Sequence, residues 1–200
     1  MKTYIGKIIC AAATLIMLIG SLYSVSEAAM DKTLIVYYSR TGNTRAGCEA
    51  MQKALGTDIL EIKDLKNRVG GWGFFRSAFG SLFGLHTRIS PESPDLSSYS
   101  SIIIGSPIWT GKLSMAIRTF IDRNRFDGKK VIIYTTTNAA EKEKHKEKTR
   151  NLIRKAGGEV VGYIQILARE KIDGTKTPRT TEQMISDTLT HVSEIKKIYK

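Results

Sequence analysis

Short apolar runs alternate along this chain with longer stretches whose apolar positions recur every three or four residues. Thr33–Tyr38, Asp58–Ile62, Ser101–Gly105, Lys130–Thr136 and Glu159–Ala168 read as strands. Ser101–Gly105 is apolar almost throughout, as a strand covered on both faces requires. Between them, Thr44–Leu55, Leu113–Asp122 and Ala139–Ala156 read as helices, and Thr180–Ile198 as a last one. Ala46, Ala50, Met51 and Leu55 form one apolar stripe, and Met184, Ile185, Thr188, Leu189, Val192, Ile195 and Ile198 another. Gly157-Gly158 stops the third helix, and Asp127-Gly128 precedes the fourth strand. Strand–helix alternation implies parallel strands joined by right-handed crossovers. The predicted fold is a doubly wound α/β domain around a five-stranded parallel sheet.

The crossover from Asp64 to Ser100 is too long for a plain connection. It holds the Gly- and aromatic-rich run Gly70-Gly71-Trp72-Gly73-Phe74-Phe75-Arg76, and Ser77–Leu85 reads as a short helix. Trp72, Phe74 and Phe75 either wall a substrate pocket or pack the crossover onto the sheet; packing is the preferred reading for the two phenylalanines. Glu141–Lys148 alternates acid and base and reads as a solvated helix face.

Candidate chemistry sits where the first strand ends. Ser39-Arg40-Thr41-Gly42-Asn43-Thr44 joins that strand to a helix N-terminus. First-turn N–H groups lack partners within the helix, and the helix dipole adds partial positive charge there. Ser39, Thr41 and Thr44 add hydroxyls, and Gly42 permits close backbone approach. A phosphate monoester suits such a turn. An ordinary capped strand–helix turn uses the same residue types, so these six residues alone leave both readings open.

The six residues fill every fixed position of Ser/Thr-x-Thr-Gly-x-Thr, and so resemble the phosphate-binding loop of the flavodoxin family. Ser101-Ile102-Ile103-Ile104-Gly105-Ser106-Pro107-Ile108-Trp109-Thr110-Gly111-Lys112-Leu113 resembles that family's central strand and the loop after it, and Ala116–Asp122 its next helix. The resemblance spans roughly Lys32 to Ala168. It implies strand order 2-1-3-4-5, with a ligand at the carboxyl ends of strands one and three. It implies FMN as cofactor, its phosphate on Ser39, Thr41, Gly42, Asn43 and Thr44, with Arg40 adding charge or facing solvent. Ser106, Pro107, Ile108, Trp109, Thr110 and Gly111 are then expected to meet the flavin ring, Trp109 by stacking. Thr135, Thr136, Thr137 and Asn138 leave the fourth strand on the same edge as further cofactor-binding candidates. No catalytic dyad is expected, because the flavin carries the redox chemistry.

Charge and the N-terminus add a second layer. The chain carries 31 basic and 19 acidic residues, net +12. That excess suits acidic partners, anionic substrates or weak association with an anionic membrane surface, but plain solubility of an exported protein with no specific partner is the preferred reading. No nucleic-acid module is visible. Lys2 and Lys7, the apolar Ile8–Leu22 and the small residues Ser26 and Ala28 follow the plan of a secretory signal peptide. Residues 1–28 are therefore expected to be removed after Ala28, leaving a flavodoxin-like domain over 32–200 outside the cytoplasm. The alternative is a cytoplasmic protein starting at Met30. N-terminal sequencing separates them: Ala29 first means export, Met30 or Asp31 first means cytosolic residence. Cys10 and Cys48 are the only cysteines, and His86, His145 and His191 lack metal-ligand spacing and read as surface or packing residues.

Two functional classes follow from the resemblance. One is an FMN-dependent oxidoreductase that takes electrons from NAD(P)H or another reductase and hands them to a quinone-like acceptor. The other is an electron carrier that serves a redox partner protein and has no small-molecule substrate.

Overall fold

A computed structural model describes residues 32–65 and 86–199. The expected signal segment, Cys10 and the whole Gly70–Leu85 run lie outside the described residues.

β1 (Thr33–Tyr37), β2 (Asp58–Glu61), β5 (Ser101–Trp109), β7 (Lys130–Thr137) and β8 (Glu159–Leu167) form the parallel sheet in the order β2-β1-β5-β7-β8. This is the expected 2-1-3-4-5 order. Its helices are α1 (Asn43–Leu55), α2 (Met115–Arg123), α3 (Glu143–Lys155), α4 (Thr181–Thr190) and α5 (Val192–Ile198). β3 (Lys63–Asp64) pairs with β4 (Ile89–Ser90), and β6 (Lys112–Leu113) folds back on β5. β9 (Arg169–Ile172) and β10 (Thr175–Pro178) make a separate antiparallel hairpin.

The period-two geometry of a strand splits each apolar run between two cores. Leu34, Val36, Ile102, Ile104, Val131 and Ile133 face α2 and α3, packing with Ile117, Phe120 and Ile153. Ile35, Ile103, Ile132 and Tyr134 face the other way, onto Cys48, Met51, Met184, Val192 and Ile195 of α1, α4 and α5. Each such fully buried side chain contributes roughly 1.5–3 kcal/mol.

Gly47 sets how closely α1 approaches the sheet. A Cβ there would lie 1.8 Å from the Tyr134 hydroxyl, which reaches past the helix to Thr188 Oγ1 at 2.9 Å. Gly105 does the same on β5, where a Cβ would lie 2.5 Å from Cys48 Sγ. Burial pushes the Cys48 thiol well up, so it stays a protonated core group.

Four boundaries differ from the sequence expectation. β5 runs on to Trp109 instead of ending at Gly105, because Ser106 and Pro107 still pair with Thr135 and Thr136 of β7. Pro107 is tolerated there because its absent N–H is the one the strand can spare at its end. The third helix begins at Glu143, not Ala139. Glu141 instead turns inward, taking hydrogen bonds from Thr135 Oγ1 and the Tyr163 hydroxyl. The last helix breaks at His191. Thr188 Oγ1 and Thr190 Oγ1 donate to the carbonyls of Met184 and Asp187, and such back-bonding bends helices. Finally, Arg169–Pro178 had no sequence assignment and forms the β9–β10 hairpin.

Candidate functional site

The winding of the sheet reverses between β1 and β5, so the loops leaving them part and open a crevice at their carboxyl ends. A cavity of about 510 Å³ lies there, within the range of small-molecule sites. Its walls come from three expected segments: the turn after β1, the end of β5 with its hairpin, and the end of β7.

The turn after β1 leads into a helix N-terminus that no side chain caps. Gly42 is the N-cap of α1 in the left-handed region, at φ 97°. The first turn of α1 also contains no acidic residue. The N-terminal amides therefore keep their donor capacity and their partial positive charge. Ser39 Oγ is committed to the turn itself, accepting from Gly42 N at 3.2 Å. Arg40, Thr41, Asn43 and Thr44 line the cavity, while Ser39 and Gly42 shape the turn from behind it.

The second wall is a hairpin rather than a loop. Ile108 pairs with Leu113 and Trp109 with Lys112, leaving Thr110-Gly111 as the turn. Both turn residues have positive φ, 51° and 73°, as a two-residue hairpin of this hand requires. Pro107, Ile108, Trp109, Thr110 and Gly111 all line the cavity. Ser106 does not. It is fully buried, and its Oγ accepts from Ser114 N at 3.0 Å. Ser114 in turn caps α2, accepting from Ile117 N. Ser106 thus anchors the hairpin to the next helix. Trp109 stands edge-on to Tyr38, with centroids 6.0 Å apart at 89°, and the Arg40 guanidinium lies 5.7 Å from its ring centroid. This contact ties the first wall to the second.

Thr136, Thr137 and Asn138 form the third wall. Thr136 Oγ1 meets Thr44 Oγ1 at 2.7 Å in a buried contact. Thr135 faces away from the cavity, donating to Glu141 and to the carbonyl of Ile164.

The sequence reading missed a fourth wall: Ala139, Ala140, Glu141, Lys142, His145 and Ala168. His145 was expected at the surface or in packing, and packing is what it does. Its imidazole packs directly on Gly111, where a Cβ would sit 2.3 Å from Nδ1. Glu141 is held by Tyr163, whose hydroxyl donates to both carboxylate oxygens at 3.0 Å. Burial, and then the Glu141 charge, push the Tyr163 phenol well above its ordinary range. Glu141 is the one acidic residue among the lining residues, against Arg40 and Lys142. Among the described residues, no group of His, Cys, Asp and Glu could hold a metal ion, and no helix is long and apolar enough to cross a membrane.

Sheet order and switch-point crevice define a doubly wound α/β domain of flavodoxin topology. The chain belongs to the flavodoxin family: the flavodoxin domain model matches residues 77–186, more than half of its length. Solved structures share the fold. A flavoprotein from Lactobacillus acidophilus, crystallised in complex with FMN, is 22% identical over 68% of this chain and 93% of its own, with a TM-score of 0.58. A candidate flavoprotein from Bacteroides uniformis is 21% identical over 78% of this chain and 96% of its own, at 0.62. Another from Bacteroides eggerthii is 20% identical over 81% and 98%, at 0.60. No curated protein matches the sequence.

Proposed function

We propose that this protein binds FMN in the switch-point cavity and works as an oxidoreductase, passing electrons from NAD(P)H or another reductase to a quinone-like acceptor. One observation carries the FMN assignment: an uncapped, acid-free helix N-terminus and the Trp109 hairpin line the same cavity. The first is an anion site, the second an apolar border for a flat ring. The FMN complex of the similar Lactobacillus flavoprotein supports the same choice. FMN, when bound, supplies the redox chemistry.

The protein's own residues do the rest. The amides opening α1, with the Thr41 and Thr44 hydroxyls, hold the phosphate. Pro107–Gly111 border the ring and exclude water from it. Thr136, Thr137 and Asn138 supply hydrogen bonds along the third wall. Arg40 and Lys142 place positive charge at the rim, which favours the anionic reduced form of a flavin over the neutral oxidised one.

Titration of the protein with FMN, followed by fluorescence quenching, tests the binding; Thr41→Ala with Thr44→Ala should weaken it severely. An intact protein that ignores FMN overturns the reading. Turnover of the loaded protein with NADH or NADPH and a soluble quinone tests the enzymatic half. A loaded protein without turnover would instead be an electron carrier.

A further inference from the structure

The β9–β10 hairpin rises from the rim of the cavity. Ala168, immediately before β9, lines that cavity, and its N–H donates to the Thr137 carbonyl at 2.7 Å. Arg179, just after β10, closes the base: its N–H donates to the Ala168 carbonyl and its guanidinium pairs with Asp187 at 2.6 Å. The hairpin is thus pinned beside the site at both ends, while Arg169, Lys171–Lys176 and Pro178 are exposed.

Its charges are sorted by face. Arg169 is opposite Pro178 and Lys171 opposite Lys176, so one face carries three cations and no acid. The other face carries Glu170, Ile172, Thr175 and Thr177. Like charges directly opposite each other destabilise an antiparallel pair. Arg169, Lys171 and Lys176 have neither an ion pair nor a side-chain hydrogen bond among the described residues to offset this. Glu170, the one acid in β9 and β10, points to the opposite face. The hairpin turn Asp173-Gly174 is a two-residue type with both φ values positive, so the ribbon is a defined platform.

We propose that this basic face is the docking platform for an acidic redox protein, which it brings to the mouth of the cavity. The site's role as an electron-exchange centre rests on the FMN reading above; the docking does not. Carboxylates of the partner would relieve the Lys171–Lys176 repulsion, so binding gains what folding gave up. A membrane surface fits less well, because the exposed Ile172 stands on the face away from the cations.

The test uses one haem protein in two charge states: cytochrome c, which is basic, and succinylated cytochrome c, which is acidic. Calorimetry measures binding to the full chain with or without FMN. Stopped-flow measures haem reduction by the photoreduced, FMN-loaded protein. One loaded protein, oxidised by two electrons, turns two ferric haems ferrous and releases its flavin proton to water. The acidic form should bind, and should be reduced faster than the basic form by about tenfold or more at low salt. Added salt should erase the difference.

Lys171→Glu with Lys176→Glu should abolish that preference and leave FMN affinity unchanged. Lys196→Glu with Lys197→Glu changes the net charge equally at the far end of the sheet and should leave the preference intact. Lys171→Gln with Lys176→Gln removes the repulsion and guards against a folding artefact. 1,4-Benzoquinone, a small uncharged oxidant, should react at similar rates with all variants, because it feels no charge steering. Equal binding of the two cytochromes, equal loss in both glutamate variants, or loss of benzoquinone reactivity in step with that of the acidic cytochrome overturns the docking platform. So does a hairpin whose charge reversal alters only binding to phosphatidylglycerol vesicles. Hairpin-dependent binding without any FMN uptake would overturn the flavin reading and leave the platform standing.

Discussion

Thr44 Oγ1 and Thr136 Oγ1 lie 2.7 Å apart, both side chains buried, and join the first turn of α1 to the end of β7. The contact fixes the N-terminus of α1 relative to the third wall. Thr44→Val keeps the shape and strands the partner hydroxyl. It should cost about 1–3 kcal/mol of stability by the penalty for an unpaired buried hydroxyl. FMN affinity should fall by about tenfold, the equivalent of ~1.4 kcal/mol. Urea unfolding and fluorescence titration check the two numbers. Thr136→Val should behave alike, and the double variant should lose less than the sum.

Gly47 and Tyr134 form a lock between helix and sheet. Gly47→Ala places a methyl 1.8 Å from the Tyr134 hydroxyl, so α1 must move. A loss of about 1–3 kcal/mol follows from overpacking. Removing the hydroxyl with Tyr134→Phe should recover part of it, because Thr188 Oγ1 retains its bond to the Met184 carbonyl. The urea midpoints of the two singles and the double variant test this. Purely additive losses would show that the hydroxyl is not what the added methyl meets.

Thr110 and Gly111 give opposite predictions at adjacent positions. Thr110 is a β-branched residue at φ 51°, where Asn is better tolerated. Thr110→Asn should stabilise the apo protein by about 0.5–1 kcal/mol. Gly111→Ala meets both an unfavourable φ and the His145 imidazole, and should destabilise by about 1–3 kcal/mol. Truncation by His145→Ala should restore part of that loss. Thermal melts of the four proteins decide it.

Alkaline pH should unfold the protein through its buried tyrosines. Burial raises the phenols of Tyr134, Tyr163 and Tyr199 above their ordinary value. A raised folded-state value means that the neutral form is favoured in the fold. The stabilisation is therefore complete below the unfolded value of about 10 and is lost as pH rises beyond it. Absorbance at the phenolate band should show these tyrosines ionising together with unfolding, not before it. Tyr163→Phe should shift the alkaline transition to higher pH, at the cost of the two hydrogen bonds to Glu141.

The rim charges should set the redox potential. Arg40→Ala removes a cation near Trp109. The midpoint potential of the FMN-loaded protein should then move negative, because the anionic reduced form loses favourable charge. Spectroelectrochemistry reads the shift; a positive or absent shift would place Arg40 outside the field of the ring.

Much of this was legible in the residues. The apolar runs marked the five strands, and their alternation with helices implied the parallel sheet, because strands covered on both faces must be apolar throughout. The turn from Ser39 to Thr44 stood out by its glycine and hydroxyl residues between a strand and a helix, and the segment from Pro107 to Gly111 by its resemblance to the flavodoxin family's loop after the central strand. The β9–β10 hairpin went unread although Asp173-Gly174 is a strong turn signal. Its strands are polar, so they lack the apolar alternation by which strands are recognised.

Local pattern determined which segments became the five strands of the sheet and the helices that flank them, since those depend on neighbours along the chain. The tertiary structure alone decided three other things. It turned Glu141 inward, because Tyr163 and Thr135 come from separate strands. It brought His145 against Gly111, an encounter between residues 34 positions apart that no periodicity encodes. It also kept Ser106 out of the cavity lining, its buried hydroxyl accepting from Ser114 N at the cap of α2. Each depends on how separate elements pack together, and only close packing fixes that.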